Sequence, residues 1–151
     1  MKEAVAHPLT SRTYVAVAVA RGVAAAYGHE DLADAHVALG VLREGENPAV
    51  AALQHAGVPL SALRRELEAA LPRRGRPQRG VVALPATPGE AELMDRAVAE
   101  ARRQGSEYVG TEHLLLALLR DEESQSARLF ARHGFGVDEA TRHLDAVSGR
   151  A

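Results

Sequence analysis

The chain has 151 residues, which suits one domain or two very small ones, with 46% apolar, 25% charged and only 3% aromatic side chains, so its core must be built from Ala, Leu and Val. A formal charge of −2 argues against a nucleic-acid binder, and the absence of cysteine excludes disulfides, thiol catalysis and cysteine metal sites.

The N-terminal stretch MKEAVAHPLTSR lacks the apolar core of a secretory signal. The longest apolar runs, Tyr14–Ala20 and Leu114–Leu119, are far too short to span a bilayer. The expectation is a soluble, cytoplasmic protein with no membrane partner.

The first element is ambiguous. Tyr14–Ala20, YVAVAVA, alternates like a half-buried strand, and valine favours strands. A repeat decides against that reading. Shifted by 77 residues, the chain matches itself without a gap: Thr10 meets Thr87, Gly28 Gly105, His36 His113, Leu39 Leu116, Arg43 Arg120 and Gly57 Gly134. The partner of YVAVAVA is AELMDRA, which suits a helix and not a strand. Two copies of one unit share a fold, so both stretches are predicted helical. Next comes HVALGVLRE, the counterpart of HLLLALLRD. Repeat one closes with Leu60, Leu63, Leu67 and Leu71, an apolar stripe at helical spacing.

A connector follows. Residues 72–86, PRRGRPQRGVVALPA, hold Pro, Gly and four arginines, a composition that disfavours a helix. We read it as an exposed basic linker; a contact strip for an acidic partner is the alternative.

Repeat two opens at Thr87-Pro88, a cap followed by proline at the first helical position. Leu93, Met94, Ala97, Val98 and Ala101 form its buried stripe, and Gly105 ends it as a left-handed cap. Thr111 is expected to cap the next helix, which buries Leu114, Leu115, Leu118 and Leu119. Ser124 opens a short helix ending at Gly134, and Val137, Ala140, Leu144 and Val147 mark the last one. The prediction is a single all-α domain over 1–151: eight helices in two four-helix repeats, about 9–71 and 87–148.

Glu112 and His113 stand together at the start of the leucine run, as a catalytic or metal pair might be sought. Adjacent helical residues point about 100° apart and do not face each other. There is no HExxH, and the remaining histidines show no ligand spacing, so neither a zinc site nor any other metal is expected. His113 recurs as His36, which suits a structural histidine at a helix start. Glu112 does not recur: Gly110-Thr111-Glu112 becomes Ala33-Asp34-Ala35. An acid in the first turn complements the helix dipole, and Asp34 would serve that purpose equally, so the residues alone leave the role of Glu112 open.

VGTEHLLLALLRDEE, following ARRQG, resembles the signature of the Clp ATPase N-terminal domain, the ClpC type in particular. The duplicated plan with its Thr-Pro cap is similar too, and the likeness runs from about Pro8 to Val147. It is specific in repeat two and diffuse in repeat one. The resemblance implies a non-enzymatic module of a chaperone and proteolysis system that receives substrates and adaptors, without a cofactor. It also implies binding of phosphoarginine on marked proteins. The Glu of GTEH would meet the guanidinium, and the start of a repeat's first helix the phosphate. Carried onto this chain, the ligand-binding residues are Glu112 and Thr111 with Thr87, Pro88 and Gly89. Asp34, Ala35 and Thr10 form the degenerate equivalent. Arginine-rich protein segments are the related ligand class. Docking on a Clp ATPase or adaptor without phosphoarginine, and sequestration of Clp-targeting cyclic peptides, are the alternatives. No GxxxxGK[ST] occurs, so the sequence holds no ATPase phosphate loop, whether the protein is free-standing or a piece of a larger ATPase.

Overall fold

The computed structural model describes residues 7–72 and 87–149; the basic linker expected over 72–86 lies outside them except for Pro72. The order is α1 (Ser11–Ala26), α2 (Asp34–Glu44), α3 (Pro48–His55), α4 (Leu60–Ala69), α5 (Pro88–Arg103), α6 (Thr111–Arg120), α7 (Gln125–Arg132) and α8 (Val137–Ser148). The four helix pairs begin at 11 and 88, 34 and 111, 48 and 125, and 60 and 137, each 77 residues apart. Among the described residues the only extended pairing is an isolated bridge between Leu9 and Val109.

Local chemistry starts these helices. Thr10, Asn47, Thr87 and Ser124 each accept a first-turn N–H through the side chain. Pro88 and Pro48 sit where a missing N–H costs nothing. Gly105 and Gly134 adopt positive φ, 67° and 70°, and turn the chain after α5 and α7.

YVAVAVA is helical. Ala16, Val17 and Ala20 face the core while Tyr14 and Val15 face solvent, a helical and not an alternating division. Burial of this face against α2 outweighs the strand preference of valine. The α1–α2 pair is the most extensive in the fold. Gly40 makes it close: a Cβ there would fall on the carbonyl oxygen of Ala16 and lie 3.0 Å from the nitrogen of Ala20.

The predicted stripes are largely buried. Leu93, Ala97, Ala101, Leu114, Leu115, Leu118 and Leu119 all lie in one core shared by both repeats. Val147 departs from expectation: it faces solvent near the end of α8. Leu71 lies beyond the end of α4 and is only partly buried.

The two repeats interlock. Helix α3 packs on α8, α4 on α7, and α6 touches both α1 and α2. Arg21 of α1 forks onto Glu90 of α5, its Nε donating at 2.8 Å and its Nη2 at 2.5 Å. Glu100 is buried and receives Arg103 and Arg120. The bridge crosses the repeats as well: Val109 N–H donates to Pro8 O at 2.9 Å, and Thr10 N–H to Val109 O at 3.1 Å. The backbone entering α1 is thereby tied to the segment leading into α6 in the other repeat.

Candidate functional site

The histidines are helix caps. Gly110, and not Thr111, is the cap residue of α6, and its N–H donates to Nδ1 of His113 at 2.9 Å. His113 reaches back from the third helical position as Glu or Gln does in a capping box. Its Nε2 meets Oε1 of Gln104 at 3.1 Å. In repeat one the N–H of Ala33 donates to Nδ1 of His36 at 2.8 Å. The proton of His36 therefore sits on Nε2, which is 2.7 Å from Nδ1 of His29. Nε2 of His29 in turn meets the carbonyl of Pro72 at 2.5 Å. Burial holds His36 down at about 4, so it is neutral near pH 7.

With His113 committed to the backbone, Glu112 is the chemically available member of the pair. It is half-buried and lines a cavity of about 660 Å³ with Asn47, Gln104, Asp145, Val147 and Ser148. Its carboxylate folds back over Gly110, so closely that a Cβ on Gly110 would collide with it. This gives the Gly110/Ala33 difference a physical meaning. Where the acid is present the cap is glycine; where Ala35 replaces the acid, a methyl group is tolerated.

The repeat relates a second cavity, of about 870 Å³, to the first. Asn47, Pro48, Glu112 and Val147 in one correspond by the 77-residue offset to Ser124, Gln125, Ala35 and Ala70 in the other. The second is also lined by Asp31, Asp34, Gly89 and Arg96.

The expected ligand set is therefore not assembled as the sequence suggested. Thr87 and Gly89 lie against repeat one and not beside Glu112: Leu32 N–H donates to Thr87 Oγ1 at 3.2 Å, and Gly89 N–H to Asp31 Oδ1 at 3.1 Å. Pro88 follows them as the first residue of α5. Thr10 sits on the other side, bonded to Val109 next to the start of α6. The helix starts are exchanged between the two half-sites. Thr111 is a further correction. Its side chain is fully buried and its hydroxyl accepts from Ala49 N–H at 3.3 Å, which supports α3. Asp34, its counterpart, takes Nη2 of Arg96 at 3.1 Å. Burial raises the Asp34 carboxyl above its ordinary range despite this partner.

Sequence reasoning missed Asp31, Arg96 and Gly110. Asp31 is held below the usual carboxylate range by Thr87, Leu32 and Gly89. Thr87 and Gly89 lie 56 and 58 residues beyond it and its third partner is the backbone N–H of Leu32, so no local pattern announces them. Two histidine contacts also went unforeseen, His29 with His36 and His55 with His143, the latter at 2.8 Å. Neither gathers the further ligands of a metal centre: among the described residues no group of three His, Cys, Asp or Glu side chains could hold an ion. No described helix is long and apolar enough to cross a membrane.

Comparison with known proteins agrees with this architecture. The chain is 33% identical over 140 residues to a Bacillus subtilis protein described as negative regulator of genetic competence ClpC/MecB. It is 32% identical over 140 residues to the chaperone protein ClpB of Oceanobacillus iheyensis. Each match covers 93% of this chain and 17% of the relative, so the chain spans about a sixth of their length. The Hsp104 N-terminal domain of Candida albicans superposes with a TM-score of 0.75 at 17% identity, covering 96% of this chain and 94% of that one. The N-terminal domain of the chaperone ClpD of Arabidopsis thaliana gives 0.69 at 17% identity, covering 99% of each. Residues 8–133 match the family described as the Clp repeat (R) N-terminal domain, and the chain belongs to that family.

Proposed function

We propose that this domain is a non-enzymatic recognition module of a Clp chaperone and proteolysis system, and that it takes phosphoarginine-bearing or arginine-rich protein segments at one half-site built around Glu112. The observation that carries the reading is the placement of Glu112. It faces a cavity whose other ionisable lining groups, Glu46 and Asp145, are acidic. A guanidinium entering there finds carboxylate acceptors, and charge-assisted hydrogen bonds of this kind are strong. Three residues before Glu112, Val109 is bonded to the segment entering α1, at Pro8 and Thr10. The phosphate of the same ligand would face the first turn of α1 beyond Thr10, where backbone N–H groups and the helix dipole favour an anion. The relevant helix start is therefore Thr10–Ser11 rather than Thr87–Gly89. In the other half Ala35 offers a methyl group where Glu112 offers a carboxylate.

Calorimetric titration of free phosphoarginine tests this. Wild type should bind about one equivalent. Glu112→Ala should lose about 1.5–3 kcal/mol, roughly ten- to a hundredfold in affinity. Two equal sites, or undiminished binding by Glu112→Ala, would sink the assignment.

A second reading, docking on a Clp ATPase or adaptor without phosphoarginine, draws on the exposed Tyr14, Val15 and Tyr108. Tyrosine-rich exposed surface is typical of protein contacts. Absence of any phosphoarginine binding would favour it.

A further inference from the structure

We infer that Asp31 confines phosphate recognition to one half of the domain, because its carboxylate is a built-in occupant of the donors at the start of α5. This rests on the reading of the α1 start as the phosphate-facing end, and it extends that reading to the other half.

The first-turn N–H groups of a helix lack helical acceptors, and the dipole adds to their affinity for an anion. At α5 an anion is already present. Oδ1 of Asp31 accepts from Gly89 N–H at 3.1 Å and from Leu32 N–H at 2.8 Å. The Thr87 hydroxyl bonds the same carboxylate. The fit requires Gly89, since a Cβ there would collide with the Leu32 carbonyl and lie 2.9 Å from Asp31 Oδ1. A phosphate approaching α5 must displace this carboxylate or lie against it, with Asp34 and Glu92 lining the same cavity.

At α1 the corresponding residues differ. Offset by 77, Asp31 becomes Tyr108 and Gly89 becomes Arg12. Tyr108 is exposed and directs its N–H to Ser106, and Arg12 brings a cation to the first turn of α1, held at 2.7 Å by Glu44. Each helix start carries an Arg–Glu pair, Arg12 with Glu44 at α1 and Arg21 with Glu90 at α5, so what separates them is the carboxylate of Asp31 on the Gly89 N–H, which Tyr108 does not supply at α1. The loss of the acid at Ala35 is an independent change in the same half, so two separate substitutions close it to a phosphorylated guanidinium.

The test follows the Gly89 amide by NMR while inorganic phosphate is added, with circular dichroism to confirm the fold. In wild type the amide should hold its position. In Asp31→Ala it should move saturably, with phosphate affinity at least tenfold higher. The variant should fold, because Leu32 N–H keeps the Thr87 oxygen as acceptor at 3.2 Å. Asp31→Asn removes the charge and keeps an oxygen, and should give an intermediate response. Equal movement in wild type and Asp31→Ala, a folded Asp31→Ala whose amide stays still, or an Asp31→Asn identical to wild type would each overturn the proposal. Phosphoarginine stoichiometry supplies the second arm: Ala35→Glu should remain near one site, and Asp31→Ala/Ala35→Glu should reach two. Failure of wild type to bind phosphoarginine strikes the Glu112 reading, whereas the phosphate response of Gly89 judges Asp31 by itself.

Discussion

Glu112 owes its position to a neighbour with no side chain. Its carboxylate lies over Gly110, and the alanine equivalent in repeat one coincides with loss of the acid. Gly110→Ala should leave the fold intact, because the atoms in its way are the end of a flexible side chain and not backbone. It should nonetheless swing the carboxylate aside and weaken phosphoarginine binding about as much as Glu112→Ala does. Calorimetry beside a thermal melt separates the two effects. His36 sets a second expectation. Its folded value of about 4 lies below the ordinary 6.5, so the unfolded chain binds the extra proton first. Its contribution to stability is complete above about pH 6.5 and is lost as the pH falls toward 4. His36→Gln, which can still reach back to the cap, should flatten that part of the stability–pH curve measured by denaturant titration. A structural role for both histidines at a helix start was legible in the sequence, because each recurs at the same point of an apolar helix; that each caps the backbone through Nδ1 was not. The partner of Thr87 was not. An internal repeat makes Thr87 and Thr10 equivalent by pattern, and only long-range packing decides which start meets which loop.

At the level of helices, the sequence misled in one place and the repeat corrected it. YVAVAVA reads as a strand by alternation, yet its small side chains let α1 lie close on α2. That closeness yields a paired prediction for two helical glycines. Gly40→Ala places a methyl on the Ala16 carbonyl and should destabilise by about 1–3 kcal/mol, although alanine favours helix by about 1 kcal/mol. Gly22→Ala meets nothing within 4 Å and should instead stabilise by about 0.5–1 kcal/mol. Chemical denaturation of both variants checks the signs. The helix boundaries were legible because caps, prolines and terminal glycines mark them. The cap of α6 was misplaced by one residue, since Thr111 carries the right chemistry but spends it on α3.

For the molecule as a whole, the number of helices and their duplication could be read from the chain, whereas the interlocking of the halves could not. Apolar stripes say which face is buried, not against which copy. The structure shows α3 on α8, α4 on α7, and each first-helix start bonded to the loop of the opposite repeat. Neither repeat closes its own core. Residues 87–149 expressed alone should therefore give no cooperative monomeric melt by circular dichroism, and light scattering should find any folded material in dimers. A monomer that melts sharply near the parent temperature would contradict this. The same crossing gives the domain the topology of a swapped dimer whose two subunits have been joined into one polypeptide. In such an arrangement each recognition surface draws on both copies. A change in one copy alters the surface that the other presents, so the two copies are constrained jointly even as their sequences drift apart.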